Sequence, residues 1–467
     1  ITDGDLSPAA YNTTLGGGLN FTHATNGSWD RSGGGTLTFD GTGTWTDAGT
    51  TKRDLGTMTV NGTAAVLTLG SSAKATNITI GADDQLNLGA GSYTLELSGT
   101  GTPLTATGTF SKGTGSTVNY TGTTTATNIT TVAYNNLTLT PTGATTYSLT
   151  GHLTVGNALS GSITINANAT LDVTATNYNI TLSGSWTKTG GFTARSGTVT
   201  FSGTSAATLA GSTTFNNLVM DTNADGAKQI NFTAGTTQTV SGTWTLDGAL
   251  GKILTLRSAT PTSAWNFSIS AGFTSGDYIN VQDSWSANAN KITTGTNVTN
   301  AGNNDGWIFS LELSFSLSSN SATFNNLNSS NSWTDTKTTV TTTSTNAVNG
   351  YVIYAYTTQL LTSLPYPAQT VANFYGTWAT PQLWPAGTYG FGYTSSDTDV
   401  QGSNRFANGT KFAAFLQTPS GNIVADNTGP SPITNEQFTI TYKVATTDTQ
   451  VASPYQTGVI YIVSANF

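Results

Sequence analysis

Apolar residues alternate with Thr, Ser or Asn in very short runs, as in Ile78-Thr79-Ile80, Leu86-Asn87-Leu88 and Ile163-Thr164-Ile165. A period of two marks a strand with one buried face. Gly and Asn punctuate the runs, and both favour turns. Such runs are short for a sandwich. They match the faces of a β-solenoid, whose coils take roughly 20–30 residues each.

The runs also recur. Thr36-Leu37-Thr38-Phe39, Thr117-Val118-Asn119-Tyr120 and Thr198-Val199-Thr200-Phe201 stand 81 residues apart, and so do Met58, Leu139 and Met220. Beside the last two sit Tyr134-Asn135-Asn136-Leu137 and Phe215-Asn216-Asn217-Leu218. A second set, Ile78, Ile80, Leu86, Leu88 and Leu95, maps onto Ile163, Ile165, Leu171, Val173 and Ile180 at an offset of 85. The surplus falls in the Gly/Thr-rich stretch 99–102, because stacked coils tolerate insertions at turns. A unit of 81 residues then holds about three or four coils. The same length fits an immunoglobulin-like module, so tandem sandwiches stand as the competing reading. The first unit is abbreviated before Gly27-Ser28-Trp29. A fourth, degenerate unit runs from about Asn231 through Gly242-Thr243-Trp244 and Leu254-Thr255-Leu256-Arg257, and closes at residues 303–309.

After Phe309 the strands lengthen. Leu311 to Leu317 alternates, 351–356 is a continuous apolar run, and 438–444 alternates again. Long Gly/Pro/Ser loops join them, which reads as an antiparallel sandwich. The expected fold is all-β. It comprises an N-terminal extension over 1–15, a parallel β-helix-like solenoid domain over 16–309 and a β-sandwich domain over 310–467.

Composition narrows the function. Charged residues are 8% of the 467, and Lys and Arg (15) are outnumbered by Asp and Glu (23). No basic stripe exists to neutralise phosphates, which argues against nucleic acid and anionic membrane surfaces. No apolar run approaches the ~18 residues of a membrane span. Cys is absent, which removes disulfides, thiolate metal sites and a Cys nucleophile. The chain starts at Ile1 rather than Met, as expected after removal of a signal peptide or trimming of the chain.

The region from about 70 to 309 resembles the β-helical repeats of large bacterial cell-surface proteins. The residues that carry this are Ala169-Thr170-Leu171-Asp172-Val173, Gly184-Ser185-Trp186, Phe215-Asn216-Asn217-Leu218 and the closing Asn303-Asn304-Asp305-Gly306-Trp307. The C-terminal part is similar to sandwich modules of surface and fimbria-like structural proteins, through Thr345-Asn346-Ala347-Val348-Asn349-Gly350-Tyr351 and Gly458-Val459-Ile460-Tyr461-Ile462-Val463. The resemblance implies a surface location and no particular activity.

Enzymatic chemistry on a β-helix needs acids and bases gathered on one face. Glu occurs only at 96, 312 and 436, and Glu96 takes an outward position in Leu95-Glu96-Leu97. Asp83-Asp84 lies in a turn signature. Asp221, Asn223 and Asp225 match the opening of a calcium loop, but the acid expected near its twelfth position is replaced by Phe232. Asp397 and Asp399 form a weaker pair of the same kind. His23 and His152 lie outside any nucleophile-and-acid pattern. Trp29, Trp186 and Trp244 recur after Gly-x, which fits sugar stacking or, at matched repeat positions, core packing. Sequons occur at Asn61, Asn77, Asn128, Asn179 and Asn408, as chance produces in a chain so rich in Asn and Thr.

These features read as a scaffold without catalytic residues, cofactor or metal. The expectation is a secreted, self-assembling structural protein at the cell surface, a subunit of a pilus-like filament or a surface layer. Its partner would be itself, through pairing of exposed strand edges. Two segments suit that role: residues 1–15, and the terminal strand with Val459, Tyr461, Val463, Ala465 and Phe467 on one side. The bland alternative is that this strand completes its own sandwich. The other functional reading is an adhesin, with the solenoid as stalk and loops 364–369 and 378–389 of the sandwich binding surface glycans or protein.

Overall fold

The computed structural model describes residues 11–16, 21–23, 34–123, 126–156, 161–309, 312–347, 349–429 and 433–466. It divides into two units, residues 1–298 with 302–309, and residues 310–467 with 299–301.

The first unit is a parallel β-solenoid. Its strands stack in three columns, the longest an uninterrupted sheet of 11 strands. Among the described residues its strand ladders are parallel, as in Leu95↔Val118, Val118↔Leu137, Leu137↔Ile163 and Ile163↔Trp186. Parallel neighbours cannot arise from hairpins, so the immunoglobulin-like alternative is set aside. The inward row is closed to solvent. Leu95, Val118, Leu137, Ile163 and Trp186 are all buried, while the Thr and Asn between them face outward.

The 81-residue repeat has a geometry that sequence alone did not reveal. From the strand Thr57–Val60 onward each step carries a strand eleven places along the chain, and a full coil there has three strands, whereas the first coils have two. Eleven strands make three coils and two further faces. Thus Met58 (strand Thr57–Val60), Leu139 (Asn136–Leu139) and Met220 (Asn217–Asp221) lie in three different columns. The repeat climbs a three-sided prism and returns on a new side each time. All three residues stay buried, because alternation within the strand is unaffected by which face it occupies. The surplus at 99–102 falls in the corner between strands Thr94–Leu97 and Leu104–Ala106.

The corners explain the abundance of Asn and Ser. Asn136 Oδ1 accepts from Ser162 N–H (3.0 Å), and Asn217 Oδ1 accepts from Thr243 N–H (3.0 Å). Ser162 Oγ accepts from Ser185 N–H (3.1 Å), and Ser185 Oγ accepts from Thr208 N–H (2.9 Å). Each side chain satisfies a backbone donor one coil on, where the ladder is interrupted.

Lysines clamp corners in the complementary sense. Lys228 is only 3% exposed, and its Nζ donates to Ser183 O (3.0 Å), Ser202 O (2.9 Å) and Ser205 O (2.8 Å). Lys112 Nζ likewise reaches the carbonyls of Tyr134 and Gly156 on later coils.

Residues 13–15 depart from the expected extension. They form the strand Thr13–Leu15, which pairs in parallel with Thr36–Phe39. The alternation that marks the repeats already begins there. Residues 1–10, like Gly27-Ser28-Trp29, lie outside the described residues. At the far end Trp307-Ile308 forms the closing strand on Ile292-Thr293, with Trp307 Nε1 donating to Ser284 Oγ (2.9 Å).

The second unit is an antiparallel sandwich. One sheet runs Leu313–Leu317, Thr334–Thr345, Ile433–Ala445, Gly390–Ser395. The other runs Asn422–Asn427, Tyr351–Thr357, Val459–Ala465. Tyr351, Ile353 and Ala355 from the second sheet meet Phe391, Tyr393, Ile440 and Tyr442 from the first in one core.

Candidate functional site

Among the described residues, the terminal strand Val459–Ala465 pairs on one side only, antiparallel to Tyr351–Thr357. It therefore does complete the chain's own sheet. Val459, Tyr461 and Val463 pack against the core, as the alternation implies, and Tyr461 Oη lies 2.6 Å from Tyr442 Oη. Burial pushes both phenols above their ordinary pKa. Phe467 lies outside the described residues.

On its other side this strand is the edge of the sheet. Asn466 N–H donates to Gly350 O (2.8 Å), and Gly458 O accepts from Thr358 N–H (2.9 Å). Even-numbered residues thus turn their backbone groups toward Tyr351–Thr357. By the alternation of an antiparallel ladder, Val459, Tyr461 and Val463 turn theirs outward. The outer face is apolar. Ile460 (38% exposed) and Ile462 (41% exposed) lie beside Tyr356 and Tyr354 of the neighbouring strand. The usual protections of an edge are charge, Pro or a bulge. The strand carries none of them, and no charged residue follows Asp448.

A second surface feature lies on the sandwich loops. Trp384 stacks on Phe374 at 4.0 Å, and Tyr375, Leu383 and Tyr389 beside them are exposed. Trp378 is taken up internally. The Arg405 guanidinium lies 3.8 Å from its ring centroid, and its Nε1 donates to Ile423 O (2.6 Å). Leu364 and Tyr366 of the other candidate loop are exposed.

The remaining candidates are structural. Asp221 Oδ1 accepts from Asn223 N–H (2.8 Å), the Asn223 amide donates to Asp247 Oδ2 (2.6 Å), and Asp225 accepts from Gly203 N–H one coil away. Their polar atoms serve turns and neighbouring coils rather than a common centre. Among the described residues, no three acidic, His or Cys side chains are grouped to hold a metal. Asp83 and Asp84 diverge: Asp83 is exposed, while Asp84 is buried and accepts from Ala65 N–H (2.7 Å). Glu96 faces outward, paired with Lys74 at 2.7 Å and accepting from Thr121 Oγ1. His152 Nδ1 accepts from Asn179 N–H (3.0 Å). Trp186 and Trp244 are core residues, which favours packing over sugar stacking. A cleft beside Trp244 is lined by Asp247, Phe273 and Gly276, but Trp244 presents only 4% of its surface. Asp397 and Asp426 form a buried acidic pair in the sandwich. Asp426 N–H donates to Asp397 Oδ2 (2.9 Å), and burial raises the pKa of both carboxyls.

Lys228 was not legible as a buried group by charge alone. The signal was parity: in Lys228-Gln229-Ile230-Asn231-Phe232 it shares the inward row of Ile230 and Phe232.

Comparison of the chain with known protein families, curated proteins and solved structures finds no match.

Proposed function

We propose that this protein is a self-assembling structural subunit of an extracellular filament or surface layer, joined to its copies by strand pairing. One observation carries the reading: the terminal strand lies at a sheet edge with an outward row of backbone groups and an apolar outer face. A neighbouring strand satisfies such an edge by β-augmentation. The laddered solenoid supports a load-bearing role, because polar corner contacts and a continuous core tie each coil to the next. The resemblance of both halves to bacterial surface proteins points the same way. Thr13–Leu15 and Val459–Ala465 each pair with one strand of the chain and end their sheets among the described residues, but the first offers only three residues and the second seven, so the C-terminal strand is the better-supported assembly element.

The test is negative-stain microscopy of the purified chain beside a full-length Val463→Pro variant, which loses an outward N–H while the strand keeps its place in its own sheet. Regular fibres or sheets from the full chain, absent from the variant, support the reading. Dispersed particles at all concentrations, or unchanged polymers from the variant, overturn it.

A second reading, an adhesin, rests on the exposed aromatic group of Tyr375, Leu383, Trp384 and Tyr389. It predicts isolated particles and saturable glycan binding that Tyr375→Ala and Tyr389→Ala remove.

A further inference from the structure

We infer that the terminal strand's partner is the same strand of a second copy, paired antiparallel about a two-fold axis through Tyr461. This deepens the assembly reading and rests on it: a two-fold contact closes on itself, so this strand supplies the dimeric step, and growth into a filament or layer needs a second contact elsewhere on the subunit. The strand reads Val459-Ile460-Tyr461-Ile462-Val463, a palindrome. A two-fold operation sets Val459 against Val463 of the other copy, Ile460 against Ile462, and Tyr461 against itself, so every side chain meets its like or near-like.

The backbone agrees with this axis. Two-fold pairing requires the central residue to point its N–H and C=O at the partner or directly away from it. The bonds made by Gly458 and Asn466 put Val459, Tyr461 and Val463 in the outward-facing set. Centring on Tyr461 therefore exchanges both backbone bonds at all three positions. Centring on Ile460 or Ile462 would also satisfy the outward groups, with a non-hydrogen-bonded pair at the axis, but would set Val459 or Val463 against Tyr461; the palindrome of side chains is what selects Tyr461. Side-chain parity is kept as well. Residues packed on the sandwich core continue the inner face of the joined sheet, and Ile460 and Ile462 meet on the outer face beside Tyr354 and Tyr356. The absence of charge between Asp448 and the strand's end means that two copies approach without like-charge repulsion.

The chain has no cysteine, so engineered cross-links read the register without background. Ile460 and Ile462 form non-hydrogen-bonded opposite pairs across this axis, with Cα atoms about 4.5 Å apart, which a disulfide spans. Either residue is displaced from its own symmetry mate. Full-length Ile460→Cys and Ile462→Cys chains are oxidised separately and mixed, then run on non-reducing gels and imaged by negative stain. The mixture is expected to form covalent dimer at least tenfold faster than either variant alone. Val463→Pro in both chains should abolish it, since Pro removes an outward N–H and leaves the internal ladder intact; circular dichroism checks that this variant folds.

Equal rates in all samples, or no dimer in any, overturn the two-fold register. Polymers on the grid without register-specific dimer overturn the inference and leave self-assembly standing. Register-specific dimer that never grows into polymers upholds the pairing and overturns the filament or layer reading.

Discussion

Replacing Lys228 with Met asks how much one buried cation does to hold stacked coils together. The substitution removes three charge-assisted hydrogen bonds, to the carbonyls of Ser183, Ser202 and Ser205. At ~1.5–3 kcal/mol for each hydrogen bond to a charged group, the loss is about 6 kcal/mol. An opposing effect is present. Burial lowers the Lys228 pKa from 10.5 to about 8, with Asp225 pulling it back up. At about 1.36 kcal/mol per pH unit, relief of that desolvation returns about 3 kcal/mol. The expected net cost is therefore about 3 kcal/mol. Solenoids open locally, so the loss should appear where the clamp acts. Amide hydrogen exchange in residues 180–205 and 228–232 should accelerate on the order of 100-fold. The pH arm has a fixed sign. The native amine loses its proton from about pH 8, whereas the unfolded chain keeps its own to 10.5. Wild-type stability should therefore rise between those values, and the Met variant should lack that rise. Exchange unchanged within twofold, with superimposable pH profiles, would refute the reasoning.

Other perturbations give separable outcomes. In the sandwich, Asp397 and Asp426 have raised pKa values, so their contribution to stability is present in acid and is lost as pH rises through their folded values. The sandwich's unfolding midpoint should climb as pH falls toward the ordinary carboxylate range, and Asp426→Asn should flatten that climb in calorimetry. Trp265 is fully buried and stacks on Phe232 at 3.8 Å, so Trp265→Ala should cost about 3–5 kcal/mol in denaturant titrations. Gly211 and Gly235 both have positive φ, 85° and 72°, but a Cβ on Gly211 would meet Lys188 O at 1.9 Å whereas Gly235 faces open space. Gly235→Ala should cost about 1 kcal/mol of backbone strain, and Gly211→Ala should cost clearly more and expose its coil to limited proteolysis.

The solenoid was legible because its signal is local. Ile78-Thr79-Ile80 fixes which side chains point inward whatever the strand pairs with, and corners rich in Gly and Asn mark where each face ends. The pairing partner is not local, so the immunoglobulin-like alternative could only fall once Leu95 was seen opposite Val118 in parallel. The rotation of the repeat was hidden for the same reason: an 81-residue interval carries no information on how many faces a coil has. Asp221, Asn223 and Asp225 show the reverse problem, since residues that favour a cation loop also favour any turn between stacked strands. The inner row of the terminal strand was readable from alternation. Its edge status was not, because that depends on Tyr351–Thr357 lying between it and Asn422–Asn427.

The stepping of the repeat from face to face bears on how such a chain can lengthen. Duplicating one 81-residue cassette would add about 18 Å of height at ~4.8 Å per coil, and would swing every later corner loop by two-thirds of a revolution. Only a threefold duplication would return those loops to their original heading. Growth of the shaft and the compass bearing of whatever it displays are thus coupled, and a lineage that needs to keep its bearing must add cassettes in threes, or trim two strands from the cassette or add one.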